Sequence, residues 1–235
     1  MYELLEAYLS RCGVWGVVLT LGAFGLGTFV NRKTGKGWCN PLLLGSLFVI
    51  LLLSLLRVPY AKYRTSAEPV SYLLLPATVS LAIPLYEKWQ LLKENTAAIF
   101  AGIFAGVATS LGSVVLLAWL LKLEFFQAVT LLPKSVTTAI GMDVAAALGG
   151  MAPLAGAVII LTGIMGGISA QWLCGFLNIT DPLAKGIAIG TASHAIGTAK
   201  ALEMGEIEGA MSGLAIAVAG ILTAILAPVF ASLLP

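Results

Sequence analysis

Three long stretches of this chain carry no charge: Thr96 to Leu121, Val144 to Thr180 and Gly209 to Pro235. About 20 apolar residues suffice to cross a bilayer as a helix. In hydrocarbon every backbone N–H and C=O must be satisfied internally, and a helix does this within one segment. Charged residues make up 10% of the chain and hydrophobic ones 59%, whereas a soluble domain carries about 25% charged residues. Such a pool cannot build a water-exposed surface. The chain therefore reads as an all-α polytopic integral membrane protein, a single transmembrane domain over residues 1–235.

The segments follow from charge and helix breakers. Gly13 to Asn31 reads as a first span, closed by Arg32, Lys33 and Lys36. Trp38 to Leu56 is a shorter second one, opened by Asn40-Pro41 and closed by Arg57. Glu68 to Tyr86 is interrupted by Pro76 and Pro84, each of which removes a backbone donor. Thr96–Leu121 and Pro153–Leu177 are clean spans, separated by a polar segment from Phe125 to Gly150. Asp181-Pro182 reads as an N-cap followed by proline at the first helical position, opening a helix that runs to about Leu202. Only fourteen uncharged residues separate Lys185 from Lys200, which suits a re-entrant or buried broken helix. About six to ten membrane segments are compatible with this pattern. The basic loop with Arg32, Lys33 and Lys36 belongs on the cytoplasmic side. The nearly equal basicity of Arg57, Lys62 and Arg64 conflicts with simple alternation.

One polar motif recurs. Leu75-Pro76-Ala77-Thr78-Val79-Ser80-Leu81-Ala82-Ile83 returns as Leu132-Pro133-Lys134-Ser135-Val136-Thr137-Thr138-Ala139-Ile140, 57 residues later. Gly190-Thr191-Ala192-Ser193-His194-Ala195-Ile196-Gly197 echoes it more loosely, at an offset of 56 from the second copy. Interrupted polar segments at corresponding places in a repeated membrane protein point to a substrate site. The repeat halves would lie at about 10–121 and 122–235, inverted or otherwise related. The expected helix breaks are Pro76, Pro84, Pro133, Gly141, Gly190 and Gly197. The expected lining is Thr78, Ser80, Lys134, Ser135, Thr137, Thr138, Thr191, Ser193, His194 and Thr198, converging in one cavity.

Lys134 stands inside or beside a membrane segment, where ionisable residues are costly and functional by default; the bland alternative is a lysine snorkelling to the interface. His194 is the only histidine, and its unperturbed pKa of about 6.5 suits a proton carrier; the alternative is a neutral histidine bonded within the bundle. Thr191, His194 and Thr198, spaced i, i+3, i+7, share one face if the segment is helical. Asp143 is a second candidate for a coupling proton. Glu203, Glu206 and Glu208 read as a solvated acidic loop; the alternative is an entrance for a cation or proton. The pairs Gly102/Gly106, Gly163/Gly167 and Gly209/Gly213 place small residues for close helix approach.

Other classes are disfavoured. A net charge of +2 spread over loops makes no basic stripe for nucleic acid. Cys12, Cys39 and Cys174 lie far apart, which argues against a disulfide framework or a metal site and for free thiols. The N-terminus lacks a basic stretch and a small-residue cleavage site, so it does not read as a signal peptide. Trp38-Cys39-Asn40-Pro41 reads as an interface anchor and a cap. No catalytic triad order, zinc motif or nucleotide fingerprint is present, so neither an enzyme nor a cofactor is expected.

Asn40-Pro41-Leu42-Leu43-Leu44, the stretch Pro76 to Tyr86, Leu132 to Thr138, Asp181-Pro182, Gly190 to Ala201 and Glu206-x-Glu208-Gly209-Ala210 together resemble the LrgB/CidB family. The resemblance covers about residues 12–230. One departure is Ala139, where proline is expected after the threonine pair, which shifts the position of the break. The resemblance implies two readings. One is a transporter of small monocarboxylates of the glycolate, glycerate, pyruvate or lactate class, with proton coupling as an option, since the family looks similar to half of a plastid glycolate/glycerate carrier. The other is a holin- or antiholin-like protein that modulates murein hydrolase activity and lysis. It also implies a multi-pass protein of a bacterial plasma membrane, a small LrgA/CidA-like membrane partner and a possible homo-oligomer. The proline-broken hydroxyl segments with a lysine and a histidine favour the carrier, because helix ends and hydroxyls can hold a carboxylate.

Overall fold

The computed structural model describes residues 13–34, 40–73, 76, 79–80 and 82–235. Among these, every regular element is an α-helix. The chain divides into two compact units, Met1–Ser80 and Leu81–Pro235. The span Thr96–Leu121 packs with the helices that follow it. Cys12, Lys36, Trp38, Cys39 and Thr78 lie outside the described residues.

The first unit holds α1 (Trp15–Thr34), α2 (Pro41–Leu55) and α3 (Tyr60–Tyr72). Asn40 caps α2 as the sequence suggests: its Oδ1 accepts from the N–H of Leu42 at 2.8 Å and of Leu43 at 3.4 Å, with proline at the start of the helix. Close backbone approach holds α1 to α2, since a Cβ at Gly45 would lie 3.2 Å from the Ala23 carbonyl. Thr20 and Tyr63 share a hydroxyl–hydroxyl bond of 2.8 Å that ties α1 to α3. Lys62 and Arg64, read as a basic loop, sit inside α3. The first polar repeat falls at the end of this unit, where Ser80 donates to the Pro76 carbonyl at 2.7 Å.

The second unit begins with the short helices α4 (Ala82–Glu87, containing Pro84) and α5 (Trp89–Glu94). Then come α6 (Thr96–Leu121), α7 (Phe125–Leu131), α8 (Thr138–Ala147), α9 (Ala152–Phe176), α10 (Pro182–Met204) and α11 (Glu206–Ala231). Three of these, α6, α9 and α11, are long and apolar enough to cross a membrane. Their outward faces carry Phe104, Leu116, Leu161, Met165, Ile221 and Ile225, all more than 40% exposed. Lipid is the environment that such faces match. Their inward faces supply the core, with Ile99, Ile103 and Leu111 of α6, Ile159 of α9 and Met211 of α11 at most 1% exposed.

The elements α7–α8 and α10 are helical hairpins. In the first, the chain leaves α7 at Leu132 and turns through Pro133–Thr137. It then runs back, so that Gly141 packs against the Pro133 carbonyl and Gly150 against Thr130. Thr130 fixes the far end by accepting from the N–H of Met151 at 2.9 Å. In the second, the break is His194, with φ 43° and ψ −141°. A straight helix would hold Ile189 and Ala201 about 18 Å apart, yet both belong to one cluster with Ala170 and Met204. A Cβ at Gly197 would sit 3.0 Å from Ile189 Cγ2. The two arms, Pro182–Ser193 and Ala195–Met204, therefore lie side by side.

These positions correct the sequence reading in part. The breaks are at Pro133–Thr137 and at His194. Gly141, Gly190 and Gly197 lie within helical arms and serve close packing: Gly190 meets the Ser212 backbone of α11, which leaves no room for a Cβ. Glu206 and Glu208 are not in a loop but in the first turn of α11, and Glu208 is buried. Asp181 does cap α10, accepting from the N–H of Ala184 at 2.9 Å.

Candidate functional site

The second hairpin is the centre of the unit, because small residues on the spans α6 and α9, and its own Gly186 and Gly190 against α11, let three spans approach. Gly102 and Gly106 of α6 oppose Ile187 and Thr191 of its first arm; Gly163 and Gly166 of α9 oppose His194 and Ser193. Thr198 of the second arm shares a 2.6 Å hydroxyl–hydroxyl bond with Ser212 of α11. These pairings fix direction. The first arm runs parallel to α6 and antiparallel to α9, so the second hairpin enters at the end where α6 begins. The first hairpin follows α6 and enters at the opposite end. Its turn reaches Ser110, which lies about 21 Å along α6 at 1.5 Å per residue; Thr191 is level with Gly106, about 15 Å along. The two tips meet near the middle of the spans.

Between them lies a cavity of about 1050 Å³. Its walls are α6, α9 and the first arm of the second hairpin, with Lys134 and Ser135 of the first hairpin at its inner end. From there it extends past Gly102 and Ile187 to Ala98 and Ile179, toward the end where the second hairpin enters. Thr109, Ser110, Ser113, Thr162, Ser169, Thr191 and Ser193 add hydroxyls to an otherwise apolar lining.

Among the described residues, Lys134 is the only charged one in that lining. Its Nζ donates to Ser135 Oγ at 3.1 Å and to Ser110 Oγ at 3.2 Å, and Ser110 in turn donates to Ser135 at 2.9 Å. No carboxylate pairs with Lys134 among the described residues. Pro133 has no N–H to give, and the turn that begins there, with the Lys134 N–H donating to the Leu131 carbonyl at 3.1 Å, sets the half-buried lysine against the cavity. A small void behind the turn is lined by Ser110, Ser135 and Thr191 together, which brings the second and third polar repeats into contact distance of one space. Chemically, the arrangement offers one ammonium and several hydroxyls inside an apolar wall: a receptor for a single negative charge with a polar neighbour.

Of the residues expected to line the site, Lys134, Ser135, Thr191 and Ser193 line this cavity. His194, Thr198, Thr137 and Thr138 do not. His194 is 2% exposed, and its Nε2 is 2.9 Å from the Ile159 carbonyl of α9. Thr191, His194 and Thr198 do not share a face. Thr191 turns to α6, His194 to α9 and Thr198 to α11, because the break at His194 removes the helical periodicity on which the spacing argument rests. Asp143 is exposed on α8, away from the cavity lining. Ser80 belongs to the first unit, and Thr78 lies outside the described residues. Ser110 was not singled out from the sequence. A serine in a clean span is a common helix-packing residue, and only its pairing with Lys134 marks it.

Comparison with known proteins places residues 20–233 within the model of the LrgB-like family. The chain is 38% identical over 223 residues to the "Antiholin-like protein LrgB" of Bacillus subtilis (strain 168), covering 94% of this chain and 96% of that one. It is 34% identical over 219 residues to the protein of the same name from Bacillus mycoides (strain KBAB4), covering 92% and 94%. No solved structure matches the chain.

Proposed function

The chain belongs to the LrgB-like family, and from that premise we propose that it is a multi-pass carrier of small monocarboxylates in a bacterial plasma membrane. The observation that carries this reading is Lys134. It is an ammonium with no carboxylate partner among the described residues, held by Ser110 and Ser135 at the inner end of a cavity between apolar spans. A charge at that depth is expensive unless something compensates it. A bound carboxylate supplies the compensation, and hydroxyls around it suit a 2-hydroxy or 2-oxo neighbour. One cation in the lining matches one carboxylate, and the apolar remainder matches a short carbon chain.

The layout supports alternating access. A span followed by a hairpin, then a span followed by a hairpin, begins at Thr96 and again at Ala152. One crossing per unit turns the second copy upside down, so the hairpins come from opposite faces, as in inverted-topology transporters. In that scheme the cavity that runs from the tips toward one end is one access state. Rocking of the hairpins against the spans would close it and open the other side. Proton coupling through His194 belongs to the same proposal. So does cooperation with a small LrgA/CidA-like membrane protein.

The names of the relatives favour a second reading, an antiholin-like membrane protein; the family resemblance adds modulation of murein hydrolase activity and lysis to that reading. Proteoliposomes separate the two. With labelled glycolate, pyruvate and lactate under a pH gradient, the carrier gives uptake that saturates and competes among these acids. Flux that rises linearly with concentration and ignores the identity of the anion removes the carrier reading and leaves the antiholin-like one.

A further inference from the structure

A second recess, of about 500 Å³, lies at the end of the bundle where the second hairpin enters. Both feet of that hairpin reach it, Lys185 from the first arm and Lys200 and Glu203 from the second, together with Asn178 and Thr180 of the preceding loop and Glu208 of α11. Lys200 and Glu203 satisfy each other at 3.0 Å. Lys185 and Glu208 do not: neither has an ion pair or a side-chain hydrogen bond in the described structure. Glu208 is only 9% exposed. Its carboxylate folds back over Gly205 in the first turn of α11, where the positive end of the helix dipole favours an anion. Glu208 is nine-tenths buried as a residue, yet its carboxylate oxygens stay accessible and unbonded in this lining, which suits a cation, and Lys185 in the same lining suits an anion. The complementary occupant carries both charges.

The depth of the recess selects among zwitterions. The apolar span α9 ends at Phe176 and the apolar span α11 begins at Glu206, so the recess lies where hydrocarbon gives way to headgroups. Trp172 and Phe176 are exposed on the last turns of α9 and stack at 5.5 Å, as aromatic residues do at membrane interfaces. We propose that this recess binds the headgroup of a zwitterionic aminophospholipid, with the primary ammonium on Glu208 and the phosphodiester on Lys185. Occupancy ties the first foot of the second hairpin, through Lys185, to the start of α11, through Glu208, which gives the bilayer a hold on that hairpin. This inference stands apart from the carrier reading, and its test contains no transport step.

The purified full chain in detergent is titrated with dihexanoyl phosphatidylethanolamine, phosphatidylcholine, phosphatidylglycerol and free phosphoethanolamine, and followed by thermal unfolding and native mass spectrometry. Phosphatidylethanolamine is expected to raise Tm and to be retained, with the choline and glycerol lipids weaker by at least about tenfold. Choline lacks N–H donors, and the glycerol headgroup lacks a cation. Glu208→Gln, nearly isosteric, should abolish this preference, and Lys185→Gln should weaken all three lipids. Equal binding of the three lipids, or an ethanolamine preference intact in Glu208→Gln, overturns the proposal. Free phosphoethanolamine binding as tightly as the lipid overturns the lipid as the source and leaves a soluble zwitterion. If Glu208→Gln does not fold, Lys185→Gln decides, and lipid affinity unchanged from the parent chain overturns the proposal.

Discussion

The two hairpins of the second unit reach the same space from opposite ends, but they are closed by different chemistry. The first turns through several residues, Pro133 to Thr137, and leaves an ammonium and a hydroxyl facing the cavity. The second turns on a single residue, His194, whose side chain is withdrawn from the cavity and bonded to the backbone of α9. A non-glycine residue at positive φ costs about 1–3 kcal/mol and persists only where packing holds it; the Gly163 surface and the Ile159 carbonyl supply that hold here. Two segments with related sequences have therefore become a charged tip and a packed hinge. Similar polar motifs announce where a chain breaks, not what each break does.

The largest effect that would sharpen this comparison is at the charged tip. Lys134→Ala is expected to reduce saturable carboxylate uptake by at least about 30-fold, since losing one partner of a buried charge pair costs about 2–5 kcal/mol, with expression and folding retained. Uptake within a factor of two of the parent chain would break the contrast and return Lys134 to an interfacial role. Next comes the packing under the hinge. Gly190→Ala places a methyl on the Ser212 backbone, which cannot rotate away, so destabilisation of about 1–3 kcal/mol is expected. Thermal unfolding in detergent measures it, and an unchanged Tm would contradict the close approach of α10 to α11.

Smaller shifts test the individual groups. Ser135→Ala leaves Lys134 with Ser110 alone. It should weaken substrate affinity by about tenfold, the worth of one hydrogen bond to a charged group, with the maximal rate changing less. His194→Gln keeps hydrogen bonding but cannot titrate near neutral pH. Counterflow exchange should stay within about threefold, while stimulation by an inward-acid gradient is lost. Full gradient-driven accumulation in this variant makes His194 a packing residue only. The smallest effect is expected at Asp143, exposed and outside the cavity. Asp143→Asn should leave both exchange and gradient response unchanged, and a loss of the gradient response would move proton coupling to α8.

Much of the architecture was legible because membrane helices obey one-dimensional rules. Absence of charge fixes a span, and α6 runs from Thr96 to Leu121 as its uncharged stretch does. Caps are equally local, and Asn40-Pro41 and Asp181-Pro182 open α2 and α10. The fourteen uncharged residues between Lys185 and Lys200 signalled a broken helix, and the break lies among them at His194. The offset of 56 residues between polar motifs reappears as the spacing from α6 to α9.

What only the tertiary structure decided is which side chains meet. The break at His194 rather than at the flanking glycines undoes the i, i+3, i+7 face, so Thr191, His194 and Thr198 part toward three different helices. Glycine marks both breaks and close contacts, and sequence alone does not distinguish a residue chosen for its dihedral freedom from one chosen for its missing Cβ. Ser110 became a partner of Lys134 because α6 passes the tip of a hairpin 24 residues further along the chain. Glu208 became buried because the second hairpin folds against the start of α11. The sequence determined the solvent, the spans and the places where the chain breaks, since these depend on runs of neighbouring residues. The cavity and the ammonium of Lys134 in it depend on the direction from which each hairpin enters, and that direction is set by packing between segments far apart in sequence.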